Sequence, residues 1–471
     1  MRSVAIIGAG ITGLTAAFYL KRKGIHVTIY ESSGRVGGVI QSARENGFLA
    51  ESGPNTILEV SARISQLVRD AGLESRRLYT DPRAEARYVV RYRRPIAMPR
   101  SPLGFLTTSL FTTRAKFSVL REPFIPPRRD GKEESVSEFV LRRLDREFLD
   151  HAIDALVAGI YAGDPQKLSV PHAFPKLAQT EARYGSLIKG QIFGARERKQ
   201  RAETSKDRAP KFSFDEGLQV LPDALRAQLG DAVHLNAKVM RLTEAVNEWS
   251  LDVHEPGHET RATHDAVIYA GTAYKLAELE VQAQMPLHLT TFAEIRHPPV
   301  ASVVLGFRRE DIAHPAEGFG MLIPQVEGFN ILGTIFSSSL FPNRAPSGHV
   351  TLTSYVGGER HPELASLPPD KLCELTLADL RVLLGVKGEP VFRHTAFYPR
   401  AIPQYNVGFG RYRELMSDIE KDAPGLFLAG HYRDGVSLSD SIVSGMNAAE
   451  RVEAFLQTRN RGAKKEPAGV V

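Results

Sequence analysis

Residues 8–13 read Gly-Ala-Gly-Ile-Thr-Gly, between an apolar, β-favouring run at 2–7 and an apolar helical pattern at 14–20. Each glycine of this triplet answers a steric demand. Gly8 permits a tight strand-to-helix turn, Gly10 lets the backbone come up to a pyrophosphate, and Gly13 lets helix and strand pack closely. The helix N-terminus presents free N–H groups and the positive end of its dipole to the anion. Gly8, Ala9, Gly10, Ile11, Thr12 and Gly13 are therefore the expected dinucleotide cradle. A second strand at 27–30 ends on Glu31, 18 residues after Gly13 (31 − 13). That is close to the position of an acid that binds a ribose hydroxyl. The triplet alone is weak evidence; the triplet between two strands, with an acid closing the second, is specific.

At 471 residues the chain exceeds one simple core, so two or three domains are expected. Hydrophobic content of 42% with 24% charged residues fits a globular rather than a disordered chain. The single cysteine, Cys373, excludes a disulfide framework and suits a reducing, cytoplasmic compartment. Residues 4–20 carry no charge and follow Arg2, as in a signal peptide. The three glycines and the continuation into Lys21 and Lys23, with no small-residue cleavage site, argue against that reading. No other apolar run is long enough to span a bilayer, so membrane contact would be peripheral. The net charge of +6 is concentrated at 91–94, 128–129, 196–199 and 459–465. Such local clusters do not point to nucleic acid. They suit either solvated surface or the anionic inner face of a cell membrane. The histidines show no ligand spacing, and no metal is expected.

The chain divides into seven segments. Residues 1–83, 211–275 and 401–458 read as three parts of one nucleotide-binding domain. Residues 84–96 and 276–400 read as a mixed-sheet substrate domain. Residues 97–210 form a mostly helical, membrane-facing insertion, in which 195–210 is polar and loop-like. Residues 459–471 form a disordered basic tail. Strands are expected at 233–239, 249–253 and 265–270, returning to the nucleotide-binding sheet. Others are expected at 299–307, 330–335 and 349–356, and a buried one at 425–430 ahead of a helix over 441–455. The fold class is thus α/β: a discontinuous Rossmann-like domain with a mixed-sheet domain and a helical insertion. Interruption and late completion of the nucleotide fold favour a flavin over a nicotinamide.

Glu31 is followed by Ser32, Arg35, Gly37, Gly38 and Val39, a Glu-x-x-x-Arg-x-Gly-Gly pattern that resembles the flavin amine oxidase superfamily. Arginine is a bidentate phosphate ligand, and paired glycines let backbone N–H groups reach an anion. Further segments narrow the resemblance. They are Glu51-Ser-Gly53-Pro54-Asn55-Thr56, Gly159-Ile-Tyr-Ala-Gly163-Asp164, Phe214-Asp-Glu-Gly217, Ile402-Pro-Gln-Tyr-Asn406 and Ala429-Gly430-His431 through Gly435-Val436-Ser437-Leu438. In that order they resemble the oxygen-dependent protoporphyrinogen/coproporphyrinogen oxidase family of haem synthesis.

The resemblance implies FAD as cofactor, a porphyrinogen as substrate and molecular oxygen as acceptor. It places Glu31 and Ser32 at the adenosine end with Arg35 and Val39 nearby, and Gly53, Pro54, Asn55 and Thr56 on the flavin side. Val239 would bond the adenine through its backbone, and Gly430, Val436, Ser437 and Leu438 would meet the flavin end. Arg87, twelve residues before Pro99 (99 − 87), would pair a propionate, and Gly159 would face the ring; an ordinary surface arginine and a helix-breaking turn are the bland alternatives. Many relatives carry Asn where this chain has His431. No protein base is nominated, because flavin N5 takes the hydride. Protoporphyrinogen IX and coproporphyrinogen III both remain open as substrate. So do a polyamine- or carotenoid-oxidising relative and a non-catalytic FAD-binding assembly factor. Oligomeric state is not legible.

Overall fold

Five short strands far apart in the chain form one parallel sheet. In spatial order they are Val233–Leu235, His26–Glu31, Ser3–Ile7, Ala266–Tyr269 and Leu426–Leu428. Ala5, Ile29, Val267 and Ile268 are wholly or almost wholly buried, as a parallel sheet covered on both faces requires. The computed structural model describes residues 2–128, 130–201 and 209–463.

The opening helix Ile11–Arg22 is apolar on nearly every side because it lies between this sheet and the C-terminal helix Leu438–Ala463. Gly445 allows that approach, since a Cβ there would stand 2.3 Å from the carbonyl oxygen of Thr12. The two extremities of the chain thereby share one core. This is the discontinuous nucleotide-binding fold expected from the sequence.

A seven-stranded mixed sheet stands beside it. Its order is Phe392–Tyr398, Val300–Arg308, His349–Gly357, Ile331–Ile335, Gly320–Leu322, Arg87–Arg91, Arg94–Ala97. Period-two alternation gives it two faces. Ala301, Val303, Leu305 and Leu352 pack against the helix Pro369–Leu384. Val300, Leu332 and Tyr355 turn toward the helix Asp154–Tyr161. Helices between Pro102 and Arg201 cover that side. They are joined by buried charge: Glu122 is fully buried and accepts from Arg143 (3.1 Å) and from the backbone N–H of Leu187 (2.8 Å). A carboxylate in that position is tolerable because it is fully hydrogen-bonded.

Four local expectations are corrected. The strand expected at 233–239 breaks at Asn236, which has φ 56°. Lys238–Ala245 then opens a separate antiparallel sheet with Glu248–Glu255 and His258–His264. Residues 249–253 lie in that outer sheet and not in the parallel one. Trp249, Leu251 and Val253 bury one face only, and left-handed turns at Asn247 and Gly257 fold the chain back as hairpins. The polar stretch from 195 continues the helix Leu187–Arg201, because its Ala, Arg, Glu, Lys and Gln are all good helix formers; 202–208 lie outside the described residues. The C-terminal helix runs on to Ala463, since 451–461 contain neither Gly nor Pro; residues 464–471 of the expected tail lie outside the description.

Candidate functional site

The carboxyl ends of the three neighbouring strands Ser3–Ile7, Ala266–Tyr269 and Leu426–Leu428 all run into glycines: Gly8, Gly271 and Gly430. In an open α/β sheet this edge is where ligands bind. Gly8 has φ 105°, and a Cβ on Gly13 would stand 2.0 Å from the carbonyl oxygen of Gly8. No side chain fits there. Gly10 differs. Its backbone is ordinary (φ −67°), and an added Cβ would meet nothing within 4 Å. The helix beginning at Ile11 has no acidic residue in its first turn and no side-chain cap. Its N–H groups and dipole are left for an anion, so these residues fit a bound pyrophosphate.

Glu31 closes the cradle. One carboxylate oxygen accepts from the N–H of Ala9 (2.8 Å), the other from the N–H and hydroxyl of Ser33 (2.8 and 2.7 Å). Ser32 is exposed and is not that partner. The N–H of Ala237 donates to the Glu31 carbonyl at 2.8 Å, which brings Val239 toward the same end. A register break between Val239 and Arg241 disturbs the ladder there. Arg35 donates to the carbonyls of Val36 and Ile40, at 3.2 and 2.9 Å, and to that of Gly38. It thus braces its own turn, whose Gly37 N–H reaches the Ala9 carbonyl at 2.9 Å.

Val39, 54% exposed despite its apolar side chain, lies against Gly53: a Cβ on Gly53 would be 2.3 Å from the Val39 carbonyl oxygen. Tyr355 of the seven-stranded sheet donates to the Gly53 carbonyl (3.2 Å) and accepts from the Asn55 amide (2.7 Å). The stretch Gly53, Pro54, Asn55, Thr56 therefore bridges the two sheets. Behind it Glu51 is buried and accepts from the hydroxyl of Ser42 (2.6 Å) and the N–H of Leu218 (2.8 Å). Burial pushes its carboxyl up to about 7, against the opposing pull of Arg344 at 3.5 Å. From the other extremity, Gly430 donates to Ser444 (2.8 Å), and the Ser437 hydroxyl meets Asp440 (2.6 Å) just where the C-terminal helix starts at Leu438, after Val436.

On the seven-stranded sheet, Arg87 pairs in register with Gly320 and Val89 with Leu322. A Cβ on Gly159 would stand 2.4 Å from Leu322 Cδ2. Strand alternation puts Arg87 and Val89 on one face, so Arg87 and Gly159 lie on the same side of the sheet. The Arg87 guanidinium lies 5.8 Å from the centroid of the Phe319 ring.

Several residues here have no sequence motif. Tyr355 and Tyr398, whose hydroxyl reaches toward the Val39 carbonyl at 3.4 Å, belong to strands with no chemical signature. His297 is a second. Its ring is the T-shaped neighbour of His431, with centroids 6.3 Å apart, though 134 residues separate them (431 − 297). Burial pushes both imidazoles down to about 4, so both are neutral near pH 7.

A glycine cradle on a parallel sheet completed by the C-terminal segment, with a mixed sheet facing it, defines an FAD-dependent oxidoreductase. Residues 11–453 match the flavin containing amine oxidoreductase family. The chain is 37% identical to protoporphyrinogen oxidase 2, chloroplastic/mitochondrial, of Arabidopsis thaliana, over 98% of this chain and 96% of that protein. It is 30% identical to coproporphyrinogen III oxidase of Bacillus subtilis, over 97% of this chain and 98% of that protein. A solved structure described as a protoporphyrinogen oxidase, from Exiguobacterium sp. 255-15, superposes with a TM-score of 0.81 at 23% identity, over 96% of this chain and 99% of that one. The chain belongs to the flavin-containing amine oxidoreductases, within the protoporphyrinogen and coproporphyrinogen III oxidase branch.

Proposed function

We propose that this protein oxidises protoporphyrinogen IX to protoporphyrin IX in haem synthesis, with oxygen as the terminal acceptor and hydrogen peroxide as product. The junction at Tyr355 carries this reading. There the Gly53–Asn55 turn meets the seven-stranded sheet, whose same face carries Arg87 for a carboxylate. Near-full-length identity to protoporphyrinogen oxidases supports it, and at 37% against 30% it favours this substrate over coproporphyrinogen III.

When bound, FAD supplies the hydride acceptor that strips hydrogen from the meso carbons. The chain's own residues do the holding. Gly8 to Gly13 take the pyrophosphate, with Arg35, Gly37 and Gly38 forming the turn pressed against them. Glu31 and Ser32 sit at the adenosine end, and the backbone of Val239 meets the adenine. Val39, Gly53, Pro54, Asn55 and Thr56 line the flavin, which Gly430, Val436, Ser437 and Leu438 close from the far side. The Arg87 fork anchors a propionate, and Gly159 lets the ring approach the backbone of its helix.

The test is side-by-side turnover of protoporphyrinogen IX and coproporphyrinogen III by the yellow holoenzyme, read by red porphyrin fluorescence and peroxide release. Faster oxidation of the first is expected. Faster oxidation of the second moves the protein to the other substrate. Bleaching by amines alone, or colour with no turnover, overturns the reading.

The helical layer supports peripheral membrane contact. Leu103, Leu106, Phe117, Leu120, Phe124 and Phe193 are each at least 60% exposed. Arg100, Arg114, Lys116 and Arg121 are interspersed among the first five. Apolar side chains ringed by cations suit an anionic lipid surface. Flotation with anionic vesicles is expected at low salt and should weaken for Phe124→Asp; no flotation at any salt removes the idea.

A further inference from the structure

We propose that His431, backed by His297, takes up a proton when the neighbouring flavin is reduced. The inference rests on the reading that places Gly430 and Val436 to Leu438 at the flavin end.

Three segments from separate parts of the fold meet here. His431 follows Gly430 at the carboxyl end of Leu426–Leu428. Tyr274 follows the carboxyl end of Ala266–Tyr269. His297 stands just ahead of Val300–Arg308, where the two sheets adjoin. The Tyr274 and His297 rings are T-shaped at 5.1 Å, and the Arg400 guanidinium lies 4.8 Å from the Tyr274 centroid. Tyr432 flanks His431, and the Tyr405 hydroxyl donates to the His431 carbonyl. Of the charged residues on these elements, Arg433 and Glu420 satisfy each other at 2.6 Å, and Asp434 accepts from the Ser444 hydroxyl. Among the described residues no carboxylate acts on either imidazole, and burial keeps both neutral.

His297 is 8% exposed, and its Nδ1–H donates to the Ile295 carbonyl at 2.8 Å. That bond fixes the tautomer and leaves Nε2 as a lone-pair acceptor. This atom is buried and has no hydrogen-bond partner among the described residues. A buried acceptor left unmatched is unfavourable. Protonation of His431 removes the mismatch. A neutral imidazole has one N–H, whereas an imidazolium has two. The second can turn to His297 while the first faces the cofactor.

The atoms balance. Bound flavin would accept a hydride, with its electron pair, from a meso carbon and so gain one negative charge. The neighbouring pyrrole N–H gives up a proton, and the substrate stays neutral. His431 takes that proton, adding one positive charge beside the anion. Between about pH 4 and pH 6, neutral histidine in the resting enzyme and imidazolium in the reduced enzyme are thus two states of one site.

The test reads the imidazole and needs no porphyrinogen, so its failure is distinct from failure to turn porphyrinogen over. Holoenzyme labelled with 15N-histidine is titrated by NMR, oxidised and then photoreduced under argon, with His431 assigned from His431→Asn. A unit charge about 5–6 Å away at an effective dielectric constant of about 20 raises a midpoint by about two pH units. The His431 midpoint is therefore expected to climb from about 4 to about 6 on reduction. His297→Leu and His297→Phe, neither of which carries a hydrogen-bond acceptor, should at least halve that climb. A midpoint that moves by less than about half a pH unit in the wild-type protein overturns the proposal. So does a full climb in both His297 variants.

Discussion

The cofactor side and the substrate side of this molecule solve opposite problems. The parallel-sheet edge works by subtraction. At Gly8 and Gly13 the chain withholds side chains so that strand, turn and helix can close up, and Gly10 leaves the space beyond the helix start open. In the proposed reading the seven-stranded sheet works by addition, with Tyr355 set on Gly53 and Arg87 on the same side as Gly159. Backbone recognition is written in consecutive residues, because a turn is a local object. Side-chain walls collect residues from strands that share no sequence neighbourhood. Tyr355 reaches Gly53 across 302 positions.

The two glycines of the cradle offer the largest test of that contrast. Gly13→Ala puts a methyl 2.0 Å from the Gly8 carbonyl and should lower both thermal stability and FAD content, by several kcal/mol of folding free energy. Gly10→Ala meets nothing in the protein and should fold with unchanged Tm as the apoprotein, yet lose FAD, read from the absorbance per chain after desalting. If both variants keep their flavin, the subtraction account fails.

Glu51, which stands behind the bridge between the two sides, comes next. Its carboxyl holds a proton up to about 7 when folded, against an ordinary value of 4.5. The native state therefore binds more protons than the unfolded chain between those values. The stability this contributes is fully present below about pH 4.5 and is lost as pH rises through 7. A decline of a few kcal/mol is expected for the wild-type protein over that window and a shallower one for Glu51→Gln, measured by urea unfolding at fixed ionic strength. A slope of the same size in both proteins would clear Glu51.

The smallest of the three effects belongs to the substrate wall. Arg87→Ala should raise KM for protoporphyrinogen by about tenfold to a hundredfold, as loss of one charge-assisted contact worth about 1.5–3 kcal/mol predicts. Because Arg87 lies on the substrate-side sheet, FAD content and Tm should hardly move. Equal loss of FAD would mean that the two sides are not separable.

What the sequence determined by itself was local and backbone-encoded. Glycine spacing, the acid after the second strand and the Arg-x-Gly-Gly turn specify a nucleotide fold wherever they occur, since each acts within a few residues of itself. The early break at Asn236 and the helix through Arg201 escaped this reading because alternation at 233–239 and polarity after 195 each fit two local structures. Tertiary structure alone decided how the pieces meet. It put the two chain ends against one cradle, set Tyr355 on Gly53 and faced His297 with His431. Those contacts depend on strand order and packing, which bring together residues that no local spacing relates.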